Sequence, residues 1–192
     1  MELLFATGNK DKLIEVKKML ANDSIKMPIE IGINDFDVVE DGKTLEENSY
    51  KKAYELYKLT GRAVFADDTG LFVKAIDNRP GVYSHRYASA NATYEDNRKK
   101  LLEELSDKKD RSAYFETVIS YIDSKGEVFH FTGRLDGYIS DIEKGEGDFG
   151  YDKIFIPENT KQSLAELTIE EKNQISHRAR AMEKFKEFLG EK

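Results

Sequence analysis

Short apolar runs, polar turns and stretches of helical spacing alternate along this chain. Glu2 to Ala6 reads as a short buried strand, Thr7-Gly8-Asn9 as turn chemistry, and Leu13, Val16 and Leu20 recur at helical spacing. A strand, a polar turn and a helix in that order make a shape that carries binding sites. Thr44-Leu45-Glu46-Glu47 has the pattern of a capping box and predicts a second helix, closed by Gly61, whose buried face carries Tyr50, Ala53, Tyr54 and Tyr57. Ala63 to Ala66 and Leu71 to Ile76 then predict two strands, with Asp67-Asp68-Thr69-Gly70 as the turn between them.

Thr93 to Leu105 is helical in pattern, and Asp107 to Asp110 is a solvated loop. Ala113 to Ile122 and Glu127 to Leu135 are rich in aromatic and β-branched residues. With Asp123-Ser124-Lys125-Gly126 between them they predict a hairpin. Gly145, Gly147 and Gly150 punctuate an acidic loop that leads to a strand at Ile154 to Ile156, ended by Pro157. Thr168-Ile169-Glu170-Glu171 is a second capping box. It opens a C-terminal helical region with Ile175, Ala179, Met182 and Phe185 on the inner face. Strands mixed with helices and one long hairpin imply an α/β fold with a mixed sheet. No repeat and no low-complexity linker divides residues 1–192, which read as a single domain.

Composition narrows the chemistry. Zero cysteines among 192 residues exclude thiolate zinc, iron–sulfur ligation and a cysteine nucleophile, and fit a reducing compartment such as the cytoplasm. His85 and His130 have no companions at metal spacing. A net charge of −7 argues against coating a nucleic-acid backbone, so phosphate would be handled in a local pocket. The first apolar run is far shorter than a signal-peptide core, and no stretch approaches the ~18 apolar residues of a membrane span.

Four clusters carry candidate chemistry. Thr7-Gly8-Asn9-Lys10-Asp11-Lys12 puts a hydroxyl, a carboxamide and an ammonium at a helix start, where free N–H groups favour an anion; alternatively Asn9 caps the helix and Lys12 is solvated. Asp67-Asp68 after an apolar strand repel each other unless a cation or proton intervenes. Such a pair suits Mg²⁺, with Glu40-Asp41 as a further ligand source, or else bonds local amides in a turn. Phe149-Gly150-Tyr151-Asp152 could present an aromatic face to a base or be core beside a turn. Ser176-His177-Arg178 places two donors together on a helix, able to read a carbonyl edge of a heterocycle or to stay on the surface. Lys52 and Lys172, taken alone, read as solvated charges.

In this order the segments FATGNKDK, EDGKTLEENSYKKA, ADDTGLFV, PGVYSHRYA, GDFGYDKIF and ELTIEEKNQISHRARAM resemble the inosine triphosphate pyrophosphatases. These are house-cleaning enzymes that hydrolyse non-standard purine nucleoside triphosphates. The resemblance runs from about residue 3 to 189. It implies a long, twisted central mixed sheet flanked by helices, two lobes with the nucleotide cleft between them, and a homodimer. It makes Thr7, Gly8, Asn9, Lys10, Asp11 and Lys12, joined by Lys52, a triphosphate-binding set, and Glu40 and Asp68 the holders of Mg²⁺. Asp68 becomes the proton acceptor for the attacking water and Thr69 a substrate contact. Phe149, Gly150, Tyr151, Asp152, Lys172, His177 and Arg178 become the nucleobase pocket. Asp148 and Lys153 depart from the glycine and proline usual there.

The implied reaction is attack of water at the α-phosphorus of ITP, dITP or XTP, releasing pyrophosphate in one piece. Two rivals remain at this point. A nucleotide- or RNA-loop-binding module without catalysis gains nothing from two acids in a polyanion pocket. A related pyrophosphatase of modified pyrimidines or 7-methyl-GTP differs at the base pocket, where Ser-His-Arg argues for purines.

Overall fold

The computed structural model describes residues 2–20 and 24–190. Its strands are β1 (Leu3–Phe5), β2 (Ile25–Lys26), β3 (Val64–Val73), β4 (Arg79–Gly81), β5 (Ser112–Ile122), β6 (Val128–Ile139) and β7 (Phe155–Pro157). The helices are α1 (Lys10–Leu20), α2 (Leu45–Thr60), α3 (Tyr94–Glu104), α4 (Ile169–Ile175) and α5 (His177–Gly190). The strands form one sheet in the order β2-β1-β3-β5-β6-β7, with β4 paired to the far end of β3. β1 runs parallel to both β2 and β3, whereas β3–β4 and β6–β7 are antiparallel, which makes the sheet mixed as expected. β5 and β6 are neighbours joined by the Asp123–Glu127 turn, whose N–H to O bond is 3.0 Å, so the predicted hairpin is present.

The helix boundaries follow local chemistry. Asn9 Oδ1 accepts from the backbone N–H groups of Asp11 and Lys12 and starts α1. Thr44 caps α2 by accepting from Glu47 N at 3.1 Å, and Gly61 ends it at φ +61. Capping boxes Thr93/Asp96 and Thr168/Glu171 open α3 and α4. Ser176 leaves the helix with an extended backbone, so the C-terminal helical region is two helices.

The chain divides into two compact units. The first comprises Met1–Asp68, Thr117–Gly133 and Arg178–Lys192; the second comprises Thr69–Glu116 and Arg134–His177. The first unit has a core on each face of its sheet. On one face Leu3, Phe5 and Phe65 meet Val16 of α1 and Met182 and Phe185 of α5. On the other, Leu4, Ala6, Val64 and Ala66 meet Ala53 and Leu56 of α2. That split follows from the two-residue period of the strands. The second unit is built around Leu71, Val73, Leu101, Phe115, Ile139, Tyr151 and Phe155.

Three local expectations are corrected. Residues 63–76 are not two strands about a turn: β3 runs unbroken through Asp67, Asp68, Thr69 and Gly70. The buried stripe of α2 is Leu45, Asn48, Ser49, Lys52, Ala53 and Leu56, while Tyr50 and Tyr54 are exposed and stack on each other. At Ser49 the helix comes close to β5, and Ser49 Oγ and Ser120 Oγ lie 2.7 Å apart. The last short strand includes Pro157, and Ile154 precedes it.

Candidate active site

Because β3 is continuous, Asp67 and Asp68 point to opposite faces of the sheet. Asp67 follows Phe65 onto the side of α1 and α5; Asp68 follows Val64 and Ala66 onto the side of α2. Both acids are buried, at 2% and 6% exposure, so each must be compensated. Asp67 accepts from Lys12 Nζ at 3.0 Å and from Arg178 Nε at 3.0 Å, and Arg178 also donates to Glu15. Asp68 accepts from Lys52 Nζ at 3.2 Å, and the same ammonium reaches Glu40 at 3.2 Å.

The two carboxyls are driven apart in acidity. Burial alone would raise Asp67, but Lys12, Arg178 and Lys52 outweigh it and hold the group well below the usual carboxylate range. Burial pushes Asp68 up to about 6, and Glu40 adds to this more than it could if it were distant, while Lys52 pulls the other way. Glu40 itself is held below its ordinary value because Lys52 and Lys12 overcome its burial. Burial lowers Lys12, whereas Asp68 and Glu40 lift Lys52 despite its burial. The environment therefore holds Asp67 ionised as an anchor for cations and raises Asp68 in the metal-free protein.

The same cluster bears on a metal. Asp68 Oδ2 is buried and finds no hydrogen-bond donor among the described residues. Glu40 and Asp68 present hard oxygen donors, and a cation between them would relieve their repulsion. No group of three or more acidic or histidine residues that could hold a metal ion occurs among the described residues. With all groups ionised, Lys12, Lys52 and Arg178 face Glu15, Glu40, Asp67 and Asp68, an excess of one negative charge.

The remaining members of the N-terminal set divide. Thr7 Oγ1 accepts from Asn9 N at 3.0 Å and Asn9 caps α1, while Gly8, Lys10 and Asp11 are exposed. The loop bearing Glu40 and Asp41 is tied to α2: Asn48 Oδ1 accepts from Gly42 N at 2.8 Å. A Cβ on Gly42 would sit 2.6 Å from that oxygen and 2.9 Å from Glu47 Cβ. Gly42→Ala should therefore shift the loop and reduce kcat/KM by roughly 10- to 100-fold, the scale of a displaced catalytic group. Steady-state rates on a folded variant check this.

In the second unit, Lys172 donates to Asp152 Oδ2 at 2.7 Å and stands 4.6 Å from the centroid of Phe149. Phe149 and Tyr94 also make a T-shaped contact with centroids 5.7 Å apart. Tyr151 is buried and donates to Ser84 O at 2.7 Å. Gly150 has φ +54, which lets the chain turn between Phe149 and Tyr151. His177 stacks on Phe115 with centroids 4.5 Å apart. Thr69 is half-buried on β3.

His177 and Arg178 make different contacts in the fold. His177 packs in the second unit, whereas Arg178 is 1% exposed and committed to Glu15 and Asp67 in the first. They are the first two residues of α5, and consecutive positions of a helix point about 100° apart. Sequence reading also passed over Glu15, Asn48 and Arg98. Glu15 lies beside Val16 on the buried face of α1, and a carboxylate at that helical position is the one clue that it has a buried cation partner.

The fold and this acid–lysine cluster define an α/β protein equipped to handle a phosphorylated small molecule. Residues 3–188 match the Ham1 family, and the chain belongs to it. It is 44% identical over 98% of its length to the dITP/XTP pyrophosphatase of Thermoanaerobacter pseudethanolicus, covering 96% of that protein. It is 43% identical to the dITP/XTP pyrophosphatase of Flavobacterium johnsoniae, with 98% of each chain covered. Among solved structures, the Staphylococcus aureus Ham1 protein superposes over all of both chains with a TM-score of 0.89 at 40% identity. The family resemblance and the mixed α/β sheet expected from sequence are both borne out.

Proposed function

We propose that this chain hydrolyses non-standard purine nucleoside triphosphates, ITP, dITP and XTP, to the monophosphate and pyrophosphate, so keeping them out of DNA and RNA. The observation that carries the reading is the division of labour on β3, where Asp67 anchors Lys12 and Asp68, raised to about 6, faces Lys52 and Glu40. The relatives named dITP/XTP pyrophosphatase support it.

Phosphoanhydride hydrolysis needs charge neutralisation and a positioned water more than covalent help. Lys12 and Lys52, with the Thr7–Lys12 turn, neutralise the phosphates. Asp68 accepts the proton of the attacking water, a task suited to a carboxyl poised near the working pH. Glu40 and Asp68 would hold Mg²⁺, which when bound supplies charge neutralisation on the phosphate oxygens. Phe149 offers a face to the base, with Tyr151 buttressing its loop, and Asp152, Lys172 and His177 supply polar contacts to it. Arg178 serves Asp67 rather than the base. A homodimer acting in the cytoplasm belongs to the same reading, and sedimentation tests the dimer.

The products test the function. Pyrophosphate and inosine monophosphate should appear together from ITP, with heavy oxygen from labelled water in the monophosphate. Orthophosphate accumulating beside inosine diphosphate would overturn the reading. Activity should disappear on chelation and return with Mg²⁺.

A further inference from the structure

Arg98 of α3 is 2% exposed, yet the partners of its guanidinium lie in the loop that leads to β7. Its Nη2 donates to Asp148 Oδ1 at 2.8 Å, its Nη1 to Gly150 O at 2.9 Å, and its Nε to Glu143 Oε1 at 2.6 Å. The fork thus grips the residues on both sides of Phe149. Tyr94, which meets Phe149 in a T-shaped contact, lies four residues before Arg98 and so on the same face of α3. Lys153 Nζ adds to the grip, 3.5 Å from Asp148 and 3.9 Å from Glu143. Asp148 and Lys153 are the two positions whose residues set this chain apart from the motif it resembles.

We propose that Arg98, working through Asp148 and Gly150, is a positioning residue that sets the Phe149 ring for the nucleobase and so contributes to discrimination among bases. This rests on the reading of Phe149 as a base contact. A planar guanidinium holds three acceptors in one geometry, which an ammonium cannot reproduce. Exposed ion pairs contribute little individually, but here the guanidinium is buried, and without it the Gly150 carbonyl loses its donor. Holding an aromatic ring in place before the ligand arrives lowers the cost of binding. The effect belongs to base binding, because none of the cluster around Asp67 and Asp68 touches Arg98 in the bonds it makes.

The test compares the full-length enzyme with Arg98→Lys, Asp148→Gly, Phe149→Ala and the double variant Arg98→Lys/Phe149→Ala. Each is assayed for kcat and KM on ITP and ATP, and for competitive inhibition by inorganic tripolyphosphate, which has no base. Arg98→Lys should raise KM for ITP roughly 10-fold, the scale of one lost charge-assisted hydrogen bond. Its kcat and its inhibition by tripolyphosphate should stay near wild type, its preference for ITP over ATP should shrink, and the substitution should have no effect in the Phe149→Ala background. Should Arg98→Lys not fold, Asp148→Gly carries the test, since its side chain is 63% exposed, with a rise in KM of roughly 3-fold expected. A similar loss with and without Phe149, or a parallel weakening of tripolyphosphate, would overturn the positioning role. If Phe149→Ala itself leaves KM for ITP unchanged, the base-contact reading fails, and the positioning role falls with it.

Discussion

Asp68→Asn is expected to lose roughly 10²- to 10⁴-fold in kcat, the scale of a removed general base, while the metal-free protein becomes more stable at pH 8. The two effects share a cause. Burial and Glu40 push the Asp68 carboxyl up to about 6, above its value of about 3.9 in an unfolded chain. The folded state therefore holds this proton more tightly. The stabilisation is full below the unfolded value and is lost as pH rises through about 6. An uncharged amide at this position avoids the cost of ionising it, and we expect a gain of about 1–3 kcal/mol at pH 8 that shrinks toward pH 5. Chemical denaturation in the presence of chelator measures it. Wild-type turnover in a folded Asp68→Asn variant would move the base role elsewhere, and unchanged stability at pH 8 would mean that the carboxylate is better compensated than its surroundings indicate.

Arg178→Ala should be among the most destabilising single substitutions in the protein, by about 3–5 kcal/mol, because it strands Glu15 and Asp67 inside the first unit without their shared cation. Its kcat/KM should fall by a similar factor for ITP and ATP, as suits a residue that supports Asp67 and through it Lys12. A selective loss for ITP would instead make Arg178 a reader of the base. Acid should affect wild type in a related way. Asp67 is held well below its ordinary value, so its contribution is complete above the unfolded value and is lost as pH falls through the acid range. Removing Arg178 weakens that hold and should move the acid unfolding midpoint to higher pH. A fluorescence or circular-dichroism titration of both proteins compares them.

Which features could be read from the amino-acid order depended on the range of the interactions that make them. Thr44, Gly61, Thr93 and Thr168 mark helix ends through bonds spanning three or four residues, so their roles are visible in a short window. The β5–β6 hairpin is local in the same sense. The ordered motifs likewise pointed to the family to which the chain belongs.

The tertiary structure decided what those residues face. Asp-Asp-Thr-Gly has turn-forming composition, and local propensity reads it as a break; inside the fold it is the middle of β3. Two buried acids in a strand are tolerable only because Lys12, Arg178 and Lys52 arrive from 55, 111 and 16 residues away to compensate them. The two-residue period of the strand then sends each acid to a different set of partners and hence to a different acidity. Tyr50 and Tyr54 have the rings of an inner face, yet they lie on the exposed side of α2 and stack on each other, while Ser49 meets Ser120 of β5. Arg98 reads as an ordinary helical surface residue until the loop at Asp148 and Gly150, about 50 residues later in the chain, folds over it. Composition and spacing by themselves determined which chemical groups this protein has and the order in which they come. Burial and pairing across long sequence separations determined which carboxyl is held ionised, which is pushed up in pKa, and which arginine holds what, because desolvation and charge depend on neighbours that no short window of sequence contains.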